Sequence, residues 1–232
     1  MDRLLLAAGR IGESDCETIG GGLLAQPVNA ISSLAYVVVA GWLVWWTRRL
    51  AGPERAMAGI YAVVLALVGF GSVAFHGPMP SWAKLAHDLP IAAIGLIVAM
   101  VALIRTDPDR RGAVAVAVAV AVVGVGILFA IVPGAGLTTT GTIAVGAIAA
   151  EGLRWRRERL WRRHVVVRRY VGAAGILIIA AVINALGKTG GPWCRPDAWI
   201  QPHALWHILS AVAFGSLAAG LFAPTEAGRP AQ

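Results

Sequence analysis

Three histidines in an otherwise apolar chain hold most of the chemistry this sequence can do. His203 and His207 lie four residues apart in Gln201-Pro-His-Ala-Leu-Trp-His207, a spacing that puts both imidazoles on one helix face. Pro202 suits the first turn of that helix. Taken alone, the pair could equally hydrogen-bond neighbouring helices. His76 closes another apolar run in Gly71-Ser-Val-Ala-Phe-His76, and three neutral imidazoles with a fourth position open are a known arrangement for catalytic zinc. Ser72, four residues before His76, shares its face. Its hydroxyl reaches either a substrate oxygen and water at the metal or a carbonyl of its own helix. Asp88, in His87-Asp-Leu-Pro90, reads as a helix N-cap and as a carboxylate that takes a proton or orients a ligand, and the two roles are compatible. His87 is a substitute ligand whose place on the helix turns it elsewhere. His164, among arginines, reads as solvated surface.

The elements that position these residues must be membrane helices. Of 232 residues, 58% are hydrophobic and 14% charged, too little polar surface to cover a globule in water. The net charge of +8 lies in short gaps between apolar runs, which orients a membrane protein and argues against nucleic acid as a partner. A span needs about 20 apolar residues. Seven runs qualify: Ala25–Trp46, Ala56–Phe75, Leu89–Ile104, Gly112–Ile131, Thr138–Leu153, Tyr170–Leu186 and His203–Phe222. The alternation in Ala113–Val120 mimics a strand, but the run continues to Ile131, and its length decides for helix. Met1 to Arg10 has too short an apolar core for a secretory signal, so the mature chain is expected to keep its N-terminus. The expected fold is all-α, a seven-transmembrane helix bundle forming a single domain over residues 1–232.

Basic residues set the orientation. Arg48, Arg49 and Arg55 follow the first span, Arg105, Arg110 and Arg111 the third, and eight arginines from Arg154 to Arg169 the fifth. With seven spans these gaps share one side, placing the N-terminus outside and the C-terminus inside. His76 and the start of the seventh span then meet near the outer face. The tryptophans near span ends read as interface anchors. Cys16 and Cys194 both fall outside, as a disulfide or as two free thiols.

The ordered set Asp15-Cys-Glu17, Gln26-Pro-Val-Asn-Ala-Ile-Ser-Ser33, Gly71-Ser72 to Phe75-His76, Asp88-Leu-Pro90, Cys194 and His203 to His207 resembles the alkaline ceramidase family. That family belongs to a superfamily of seven-helix membrane hydrolases that includes the adiponectin-type receptors. The resemblance spans nearly the whole chain, and its specificity lies in the order of motifs that are each weak alone. It implies a zinc ion on His76, His203 and His207, with Ser72 and an aspartate nearby, cleaving the amide of ceramide into sphingoid base and fatty acid. It also implies a bridge between Cys16 and Cys194. Family members carry calcium on an acidic cluster around an Asp-Trp-Cys-Glu run and on a glutamate of the first helix. Here Asp15 and Glu17 are candidate calcium ligands, but Ser14 and Asp15 stand where Asp and Trp belong, Ile19 replaces a polar residue, and Gln26 replaces the glutamate. Calcium is therefore in doubt. The spacing from His76 to Asp88 is one residue longer than the family's, so Asp88 aligns with the residue after the family's aspartate.

The expected activity is metal-assisted hydrolysis of a lipid amide, with ceramide or another N-acyl lipid bound between helices. Asp88 would move the proton and Ser72 would steady the oxyanion. A lipid receptor or sensor with structural zinc is the alternative. A transporter using Asn184 is weaker, because no charged residue lies deep in a span and no repeat is evident. The bias toward Ala, Arg and Val points to a bacterial cell membrane. Acyl-chain preference, amide against ester, and oligomeric state are not encoded in any motif.

Overall fold

The computed structural model describes residues 11–132 and 134–223. Met1 to Arg10, expected to be retained, and Pro133 lie outside them. The described residues are helical, without a strand. The elements are α1 (Pro27–Ser32), α2 (Leu34–Trp46), α3 (Gly52–His76), α4 (Ala83–Thr106), α5 (Arg111–Ile131), α6 (Gly136–Glu158), α7 (His164–Leu186) and α8 (Pro202–Leu221). Short 3-10 turns at Thr47–Arg49, Pro108–Arg110 and Leu160–Arg162 reverse the chain after α2, α4 and α6.

Among the described residues, six stretches are long and apolar enough to cross a membrane: Pro27–Arg49, Gly52–His76, Ala83–Thr106, Pro108–Ile131, His164–Leu186 and Pro202–Leu221. The chain thus has the helices of a multi-pass membrane protein. The fifth expected span, Thr138–Leu153, lies within α6. That helix carries Glu151 within the expected span and runs on through Arg154, Arg156, Arg157 and Glu158, which shortens its apolar portion.

Helices α2, α3, α4 and α8 form the centre, around Tyr36, Tyr61, Leu65, Val68, Val101 and Ala211. Helix α4 also packs against α5 and α6, and α7 against α8. Helix α5 turns Val116, Val120, Val123 and Ile127 outward. That surface suits lipid, where apolar side chains need not be hidden.

Two boundaries matter for the site. The third expected span was to open at Leu89 with Asp88 as its cap. Instead α4 opens at Ala83, and Asp88 and Pro90 lie inside it. Pro90 has no N–H for the Ala86 carbonyl, and Gly71 of α3 packs against that carbonyl with no room for a Cβ. A glycine facing a proline-freed carbonyl thereby brings α3 and α4 together just before His76. At the other boundary, α7 ends at Leu186 and Gly187 packs against Pro202, again with no room for a Cβ. That contact seats the first turn of α8 beside the end of α7.

Candidate metal centre

The last residue of α3 and the first two turns of α8 meet at one end of the bundle. His76, His203 and His207 are all buried, and one ring nitrogen from each lies within 4.8 Å of the others. Their ring centroids are 4.9 Å apart for His76 and His203, 5.1 Å for His76 and His207, and 4.5 Å for His203 and His207.

The outward nitrogens fix the tautomers. His76 Nδ1 donates to Gln26 Oε1 at 2.7 Å, and His203 Nδ1 donates to Asn184 Oδ1 at 2.8 Å. His207 Nδ1 lies 3.0 Å from Ser32 Oγ and 3.3 Å from Ser33 Oγ. Both hydroxyls already give their proton to the Asn29 carbonyl, at 2.9 and 2.7 Å. Towards His207 they can only accept, so Nδ1 carries the hydrogen there too. Each ring is left with a bare lone pair on Nε2.

Those lone pairs have almost nothing to bind. Nε2 of His76 and of His203 is buried with no partner, and Nε2 of His207 has Ser72 Oγ at 3.3 Å. An unmet buried acceptor costs about 1–3 kcal/mol, and a cation between two such atoms would satisfy both. The donor set is that of a transition metal on imidazoles. These residues could hold a metal ion.

Ser72 is fully buried beside them, its Oγ 2.9 Å from Ser33 Oγ. The hydroxyl thus faces the cluster. Asp88 stands one step back. Its carboxylate takes Lys84 Nζ at 2.6 Å and His87 Nδ1 at 2.7 Å. His87, expected to face elsewhere, turns its ring toward the cluster, 6.4 Å from that of His76 and 4.7 Å from that of Phe75. His164 is exposed.

Asp15 is buried, bonded by the Ser14 hydroxyl at 2.9 Å and 3.7 Å from His203 Nδ1. Burial holds its carboxyl above the usual range, against the Ser14 bond and the charges of Lys188, His87 and Lys84. Glu17 accepts the backbone N–H of Val28 at 2.7 Å and of Asn29 at 2.8 Å, one on each carboxylate oxygen. It caps the start of α1. Cys16 and Cys194 are bonded, with Cα atoms 5.5 Å apart. The bridge fastens the segment before α1 to the α7–α8 loop, where Thr189 also accepts the Cys16 N–H and donates to the Glu13 carbonyl.

Gln26, Ser32, Ser33 and Asn184 hold the histidines in place, and spacing alone did not single them out for that task. Neutral polar residues inside apolar runs leave no periodic signal. Compared with protein-family models, curated proteins and solved structures, the chain has no match.

Proposed function

We propose that this chain is a zinc-dependent membrane hydrolase of the alkaline ceramidase type, cleaving the amide bond of ceramide or a related N-acyl lipid. The observation that carries the reading is the set of three buried imidazoles whose Nδ1 atoms are locked and whose Nε2 lone pairs converge. In this reading the chain crosses the membrane seven times, α6 included. The arginine-rich ends of α2, α4 and α6 then lie inside and the histidines near the outer face.

His76, His203 and His207 would hold the zinc. Bound there, zinc supplies Lewis acidity and brings the pKa of water toward about 7. Gln26, Asn184, Ser32 and Ser33 keep the rings aimed. Ser72, whose hydroxyl donates to Ser33 Oγ while Ser33 donates to the Asn29 carbonyl, would turn that hydrogen to the substrate carbonyl oxygen as negative charge develops on it. His87, whose ring lies 6.4 Å from that of His76 and whose Nδ1 is held by Asp88 at 2.7 Å, would carry a proton from water to the leaving amine through its Nε2. Lys84 Nζ pairs with the other Asp88 oxygen at 2.6 Å. Asp88 therefore acts through His87. The apolar flanks of the bundle suit an acyl chain and disfavour aqueous amides.

The test is turnover by detergent-purified, zinc-loaded protein on ceramides of several chain lengths. Release of sphingoid base and fatty acid is expected, with kcat reduced about 10²–10⁴-fold in His87→Ala at unchanged zinc content. Bound zinc with no turnover on any N-acyl lipid would instead favour the receptor-like alternative, in which the metal is structural.

A further inference from the structure

The segment before α1 reaches the histidines through one fully buried side chain, Gln26. Its amide is completely used. Oε1 accepts from His76 Nδ1 at 2.7 Å, and Nε2 donates to the carbonyl oxygens of Gly12 at 2.9 Å and Glu17 at 2.8 Å. Its backbone N–H also bonds the His76 carbonyl at 2.8 Å. The amide can sit only one way round, since a flip would face its oxygen toward two carbonyl oxygens and its NH2 group toward the His76 N–H.

Two carbonyl oxygens converging beside acidic residues are what an oxygen-loving cation takes as ligands, and the family resemblance would put calcium in this region. The residues here do not fit it. Both oxygens of the Glu17 carboxylate are engaged by backbone N–H groups. Asp15 is turned to Ser14 and His203. The Gly12 and Glu17 carbonyls already receive the two Gln26 N–H groups, and a cation could take them only by displacing that amide.

We infer that the Gln26 amide does the work of a cation in this chain: it ties the Gly12 and Glu17 carbonyls to the His76 ring, so that assembly of the histidine site needs no calcium. Gln26 is thus a positioning residue for His76, an inference that rests on the reading of His76 as a zinc ligand. The same geometry says what a carboxylate would do in its place. In Gln26→Glu one oxygen can still accept from His76, but the other would face two carbonyl oxygens with no hydrogen to offer. A calcium ion among those oxygens would relieve the repulsion.

The experiment uses the full chain in detergent, with buffers stripped of calcium on a chelating resin before the protein is added, so that no chelator competes for zinc. Thermal unfolding and zinc affinity are measured with and without millimolar calcium chloride. The wild type is expected to show the same midpoint and zinc affinity in both. Gln26→Ala should bind zinc about 10–100-fold more weakly, as expected when an imidazole loses its outer partner, and calcium should not restore it. Gln26→Glu should unfold several degrees lower without calcium and recover with it. A saturable calcium-induced rise in the wild-type midpoint would overturn the inference. So would wild-type zinc affinity in Gln26→Ala, or a Gln26→Glu protein that calcium does not rescue. Absence of lipid turnover in a wild type that binds zinc and ignores calcium would remove the hydrolase reading and leave this inference standing.

Discussion

The bundle buries polar side chains at both ends, about 27 Å apart along α8 from His203 to Leu221, and the two ends treat them in opposite ways. At the arginine-rich end Arg154, 1% exposed, gives Nη1 to Glu151 at 3.0 Å and lies 3.4 Å from Glu158, while the Tyr170 hydroxyl donates to the other Glu151 oxygen at 3.0 Å. Arg157 and Arg169 bond the carbonyls of Thr106 and Ala219 near the ends of α4 and α8. These groups mostly answer one another, and the cluster works as a clasp between α6, α7 and α8. At the histidine end the polar groups are equally well bonded on their outer side and bare on the inner one. The nitrogens left unbonded at the arginine end, Arg154 Nε and those of Arg105, are cationic donors that cannot ligate a metal, whereas those left at the histidine end are neutral imidazole lone pairs in one cluster.

That contrast can be broken from either side. The largest effect is expected from His207→Ala, which should remove the metal and take turnover to background while the protein stays folded, as read by zinc analysis and thermal unfolding on one preparation. Next is Glu151→Ala, which leaves Arg154 with only Glu158 at 3.4 Å and the Leu221 carbonyl at 3.5 Å and should cost about 1–3 kcal/mol of stability with zinc affinity unchanged. Asn184→Ala removes the acceptor for His203 Nδ1 and should weaken zinc about 10–100-fold, with only a small loss of stability. The smallest effect concerns Arg105, whose guanidinium nitrogens are buried without a partner. Arg105→Met is expected to be neutral or to stabilise by about 1 kcal/mol. Strong destabilisation by that change would show that the clasp includes Arg105.

Much of this was legible before any coordinates. The spacing of His203 and His207, and the run ending at His76, placed three imidazoles at one end, because lipid leaves few reasons to keep such groups beside apolar runs. Helix was read correctly for the alternating Ala-Val stretch of α5 on length alone. The paired fates of His87 and Asp88 were not legible. Pro90 suggested a helix start two residues earlier, whereas α4 begins at Ala83 and carries the proline within it, and the His87 ring comes to 6.4 Å from that of His76. The charged tail of α6 likewise hid how far that helix runs. Gln26 was visible only as a departure from a calcium-binding pattern. Its bond to His76 depends on where the segment before α1 folds back, which no local spacing encodes.

The central claim is most directly tested by X-ray absorption at the zinc edge on the purified, zinc-loaded chain, with His203→Ala beside it. One zinc per chain with three imidazole nitrogens at about 2.0–2.1 Å is expected, and one imidazole fewer, or no zinc, in the variant. Wild-type protein that is folded and offered zinc but holds none, or holds it with fewer than three imidazoles, would contradict it.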